Sequence, residues 1–131
     1  MAQQVRGVFA RAKGPAHIIL ATDATSATGM PDGQYALGNS QVHVQGGVCR
    51  DAEGRLAGST LTQDKALRNL IQWTNMRLED AILGLTANPA QALALEGRGR
   101  IEPGAFADLT LLDGNLEVAR TYVSGKLMFE R

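Results

Sequence analysis

The chain has little of what would mark a secreted, membrane-bound or nucleic-acid-binding protein. A single cysteine, Cys49, excludes an internal disulfide. Thirteen basic and thirteen acidic side chains cancel, and no dense Lys/Arg run stands out, so nothing points to nucleic acid or an anionic membrane as partner. The apolar runs are a few residues long, far short of the roughly 20 needed to cross a bilayer. The N-terminal stretch MAQQVRGVFARAKG lacks the apolar core of a signal peptide. No internal repeat and no low-complexity linker are visible. The expectation is a cytoplasmic chain of 131 residues, suited to one domain or to two pieces of larger domains.

What is present is 44% hydrophobic, enough for a core. Val5, Val8, Phe9 and Ala12 recur at helical spacing and predict a helix over 4–13, ended by Gly14-Pro15. His17 to Ala21 reads as a strand apolar on both faces, as parallel strands covered by helices are. Gln41 to Gln45 alternates, Gly46-Gly47 turns, and Val48-Cys49-Arg50 returns, which predicts a small antiparallel hairpin. Residues 57–95 read as helical. Thr62 is the expected N-cap, Ala66, Leu67, Leu70 and Ile71 form the buried stripe, and Trp73 packs beside it. A second helix begins near Leu78 with Ala81, Ile82 and Leu85 inward, and a short third one follows Asn88-Pro89. The last third alternates over 105–112 and 118–123, with turns at Asp113-Gly114-Asn115 and Ser124-Gly125 before a strand from Lys126. One parallel strand cannot make a sheet, so by its own pattern the chain lacks neighbours.

The candidate chemistry starts at Asp23, where an apolar run ends on a carboxylate. By composition and spacing it is an Asx-turn or cap residue. Leu56-Ala57-Gly58 reads, on the same terms, as a turn before the helix capped at Thr62. His17 and His43 carry no ligand-spacing signal: there is no His-x-His pair and no cysteine cluster. No residue is therefore assigned as a metal ligand. Cys49 reads as a small hydrophobe. Gly97-Arg98-Gly99-Arg100 precedes a strand and not a helix, so it is no phosphate loop, and Arg98 and Arg100 read as surface charges.

The stretch GRGRIEPGAFADLTLLD, followed by VARTYVSGKLM, resembles the C-terminal ending of the amidohydrolase superfamily. ATDATSATGMPDGQY and LAGSTLTQDKALRNL look like the corresponding segments of the N-acetylglucosamine-6-phosphate deacetylase family, and the resemblance runs from about Val5 to Met128. It implies an α/β fold class: the C-terminal fragment of a metal-dependent (β/α)8 barrel, its last strand and helices over 1–97, plus terminal antiparallel strands of a small β-sandwich over 98–131. A complete barrel takes roughly 200 residues or more, so the metal ligands and phosphate-binding groups are expected upstream.

The implied reaction is hydrolysis of the N-acetyl group of an amino-sugar phosphate. A divalent metal, zinc or iron in the complete family enzyme, lowers the pKa of bound water toward ~7. A carboxylate takes the proton and returns it to the leaving amine. Barrel active sites sit at the strands' C-terminal face, and the resemblance gives Asp23 the carboxylate role and makes Leu56, Ala57 and Gly58 a sugar-contacting loop. This chain alone is expected to bind no metal and to be inactive. Its partner is then the missing N-terminal part of the barrel, or a second copy, since a lone strand leaves unpaired edges. The alternatives are a non-catalytic remnant that only assembles, and another amidohydrolase of dihydroorotase-like type, against which the ATDATSATG and LAGSTLT stretches argue.

Overall fold

A computed structural model describes the backbone of residues 2–131 and the side chains of residues 7–131. The chain separates into two compact units, one made of residues 1–20 and 67–131 and the other of residues 21–66.

The larger unit begins with α1 (Ala2–Lys13) and a 3-10 turn at Pro15–His17. The helix falls where expected, but the expected apolar stripe is corrected. Val8 and Phe9 are 59% and 62% exposed and Ala12 is exposed, whereas Gly7 and Ala10 are buried. Val5 lies outside the described side chains. The reason is steric. A β-carbon on Gly7 would stand 2.7 Å from the Trp73 carbonyl oxygen, so α1 lies against α2 (Gln63–Thr74) on its smallest residues. Glycine inside a helix costs about 1 kcal/mol relative to alanine, a cost this backbone approach accounts for.

Helix α2 follows the expected pattern. Asp64 sits in its first turn, where a carboxylate complements the helix dipole, and Ala66, Leu67 and Leu70 are buried with Ile71 half-buried behind them. Asn75 ends it at φ 55°, a left-handed stop. The helical run after it is broken into α3 (Leu78–Ala81), a 3-10 turn (Ile82–Leu85) and α4 (Ala87–Ala92). Ala10, Leu67, Leu70 and Ala81 form the core of this unit, and Ile18, Leu20, Ile82 and Leu85 pack against it.

The expected strand at 17–21 is corrected. Residues 18–21 carry no strand pairing among the described residues. Ile18 and Leu20 face the core, but Ile19 is 51% exposed, so the segment is apolar on both faces and covered on one. It is held from the side: Leu20 N donates to Gly84 O at 2.9 Å, and the Asn88 amide donates to the carbonyls of Pro15 and Ile18 at 2.8 and 2.7 Å. The unit ends in an antiparallel meander, β5 (Leu109–Leu112), β6 (Val118–Val123) and β7 (Lys126–Glu130). Both turns fall where expected, although β5 is shorter than the alternation over 105–112 suggested.

Residues 21–66 hold a four-stranded antiparallel sheet, β1 (Gly33–Leu37), β2 (Ser40–Gln45), β3 (Val48–Arg50) and β4 (Leu56–Ser59), in sequence order. The expected hairpin is its middle, β2–β3, with Gln45 opposite Val48 across Gly46-Gly47. The outer strands were not expected, and β4 takes residues 57–59 out of the helical reading. Val42, Val44, Cys49 and Ala27 make the core of this unit, with Tyr35 and Ala57 packed on them. Cys49 is the small buried hydrophobe that the sequence suggested, and His43 points to the exposed side of β2.

Candidate functional site

Asp23 leads the chain from its extended segment into the loop before β1. Its backbone adopts φ 50°, a left-handed conformation that costs a residue with a β-carbon about 1–2 kcal/mol and that Asp tolerates better than most. Such strain persists only where the surroundings over-determine it. Here β4 does so. Ser59 N donates to Asp23 O at 2.7 Å, Thr25 N donates to Ser59 O at 2.9 Å, and Ala24 and Ser59 form a parallel bridge. The Ser59 hydroxyl donates to Thr22 O at 2.5 Å and accepts from Leu61 N at 3.0 Å.

This pairing brings together two stretches singled out separately in the sequence. Gly58 has φ 79°, and a β-carbon on it would lie 2.6 Å from Thr25 Cγ2, 3.0 Å from Asp23 O and 3.9 Å from Asp23 Oδ2. Only a glycine allows the β4 backbone this close to the Thr25 side chain and the Asp23 carbonyl. Ala57 is half-buried in the sheet core, and Leu56, 71% exposed, leads into the strand. Asp23 and Gly58 thus meet at one corner of this unit, whereas Ala57 packs on the sheet core and Leu56 is exposed at the start of the strand. The bonding centre, Ser59, was missed. Its only trace in the sequence is a hydroxyl residue directly after Gly58.

The other residues considered lie elsewhere. His17 Nδ1 sits 3.2 Å from Lys13 O at the end of α1. His43 lines a shallow depression with Gln34, Gln41, Val42, Asp51 and Ala52. Neither Asp23 nor Gly58 borders that depression. Among the described residues no three His, Cys, Asp or Glu side chains gather to hold a metal ion. Arg98 is more than a surface charge: its guanidinium lies 4.2 Å from the Phe106 ring centre and its Nε donates to Asp108 at 3.0 Å. Arg100 pairs with Glu102 at 2.6 Å.

Residues 7–128 match the Amidohydrolase family. Among curated relatives, an N-acetylglucosamine-6-phosphate deacetylase of Vibrio furnissii is 40% identical over 112 residues, which is 85% of this chain and 28% of that protein. A putative N-acetylgalactosamine-6-phosphate deacetylase of Escherichia coli K12 is 42% identical over 111 residues, 84% of this chain and 66% of that protein. The crystal structure of an N-acetylglucosamine-6-phosphate deacetylase from Thermotoga maritima superposes with a TM-score of 0.91 at 36% identity, over 98% of this chain and 36% of that one. The chain thus spans from under a third to about two thirds of the proteins it resembles. With nearly all of its length matched, and with an α/β fold carrying antiparallel sheets that superposes on a deacetylase, this chain belongs to the amidohydrolase family.

Proposed function

We propose that this chain is the C-terminal portion of a deacetylase acting on N-acetylglucosamine 6-phosphate. In that reading residues 1–97 supply the end of the barrel and residues 98–131 the strands of the β-sandwich. The observation that carries it is the Asp23–Gly58 corner: an aspartate in a strained left-handed turn, with a glycine where a β-carbon would collide with the Asp23 carbonyl and Thr25. Strained backbone gathers at working sites.

Asp23 is the proposed acid–base residue. Its carboxylate takes a proton from the water that attacks the acetamide carbon. The carboxylic acid so formed gives that proton to the nitrogen as the C–N bond breaks, releasing acetate and the amino-sugar phosphate. The Leu56-Ala57-Gly58 backbone is the proposed contact for the sugar. The zinc or iron expected of the complete enzyme does not fit on the described residues, since Asp23 contributes one carboxylate and no ligand cluster among them surrounds it. The metal donors and the rest of the site are assigned to the N-terminal part of the barrel, which these residues do not include.

A second reading, self-association without catalysis, is favoured by β7. All five of its residues are exposed, Leu127, Met128 and Phe129 among them, and the strand lies at the edge of its sheet, an arrangement that recruits other chains. No helix among the described residues is long and apolar enough to cross a membrane.

The test is reconstitution. The chain is mixed with the upstream part of a deacetylase relative and zinc or iron, and acetate release is followed from N-acetylglucosamine 6-phosphate and its galactosamine epimer. Turnover is expected in the mixture alone, with Asp23→Asn lowering it about 10²–10⁴-fold. Enzyme-like turnover by the isolated chain, or a fully active Asp23→Asn mixture, would sink the proposal.

A further inference from the structure

We infer that Ser59 is the positioning residue that sets the Asp23 turn, an inference resting on the reading of Asp23 as the acid–base group. Four hydrogen bonds converge on it: its N–H goes to Asp23 O, its carbonyl receives Thr25 N–H, its hydroxyl donates to Thr22 O, and that hydroxyl accepts from Leu61 N–H. The two backbone bonds are available to any residue at position 59. The two hydroxyl bonds are not.

The Thr22 bond is the informative one. The Thr22 carbonyl and the Asp23 amide belong to a single rigid peptide plane, and rotation of that plane about the Asp23 N–Cα bond is what φ of Asp23 measures. With the Asp23 carbonyl held by the Ser59 N–H on the other side of that bond, anchoring the Thr22 oxygen holds φ at its left-handed value of 50°. A hydroxyl has one proton to give. The Leu61 N–H occupies its acceptor side, which leaves that proton for Thr22 O. Ser59 thus ties the start of the approach to α2 to the plane preceding the carboxylate, without touching the carboxylate itself.

Substitution separates this role from general support of the sheet. In Ser59→Ala the backbone couplings and carbon shifts that report φ at Asp23 are expected to leave the left-handed range. Amide protection of Val42, Val44 and Cys49 stays unchanged, and Ser59→Thr, which keeps the hydroxyl, restores the wild-type signature. In the reconstituted mixture Ser59→Ala lowers kcat about 10–100-fold with KM held, as misplacement of a catalytic group does, and Ser59→Thr recovers it. An Asp23 signature that survives Ser59→Ala overturns the inference. So does loss of protection across the whole sheet, or a rise in KM with kcat unchanged. A wild-type mixture without turnover removes the deacetylase reading, while the Asp23 signature still decides whether Ser59 sets the turn.

Discussion

At the scale of single residues, Gly58 offers the sharpest comparison. Gly54 shares its left-handed φ, 78° against 79°, but a β-carbon there meets open space, whereas at Gly58 it meets Thr25 and the Asp23 carbonyl. Alanine at either position carries the left-handed penalty of about 1–2 kcal/mol; only at 58 does it also push on its neighbours. Gly58→Ala is therefore expected to destabilise residues 21–66 by about 2–5 kcal/mol, the overpacking cost of about 1–3 kcal/mol being added. Gly54→Ala is expected to lose only the first part. Urea titrations of both variants check this, and equal losses would show that the close approach has no energetic weight. Asp23 and Gly58 were singled out only through resemblance in the sequence around them, because an aspartate after an apolar run and a glycine before a helix are also the commonest turn residues. Ser59 was illegible for a plainer reason: its four bonds run to residues close in sequence on one side and far away on the other, and no periodicity records that.

At the scale of elements, α2 was the most legible and is the most consequential. Its three buried apolar positions follow from a 3.6-residue period, and Leu67 is 0% exposed at the centre of the larger unit's core. Leu67→Ala is expected to cost about 2–5 kcal/mol, read as a lowered urea midpoint; a loss below 1 kcal/mol would mean that this core is loosely packed. The hairpins β2–β3, β5–β6 and β6–β7 were legible because alternation and turn residues occur together within a few positions. Strands β1 and β4 were not. β4 is four residues long with Gly58 inside it, and its parallel contact reaches back to Ala24, a pairing that local pattern does not encode. The segment 18–21 erred in the other direction: its apolar run is real, but a run predicts burial on both faces only if both faces have cover.

At the scale of the whole molecule, acid should loosen the larger unit through Asp108 and Asp113. Asp108 is held below the usual carboxylate range by the Ser124 N–H and then by Arg98. Asp113 is held below it by the Glu117 N–H, with Arg131 and the Asn115 N–H adding to the effect. A carboxylate whose pKa is lower folded than unfolded contributes stability that is full above its ordinary value, 3.8 here, and disappears as pH falls through the folded value. The thermal midpoint is thus expected to fall as pH drops from about 5 to below the ordinary aspartate range near 3.9. The double variant Asp108→Asn with Asp113→Asn should start lower at neutral pH and respond less to acid. An unchanged acid slope in the double variant would place the titrating groups elsewhere.

The burial of Cys49 also provides a reporter. The chain has one sulfhydryl, and it is sealed in the core of the four-stranded sheet. A bulky thiol reagent can reach it only while those strands part. The labelling rate therefore counts the openings of residues 21–66 in the native protein, with no tag or denaturant added, and a ligand settling at the Asp23 corner would register as a slower clock.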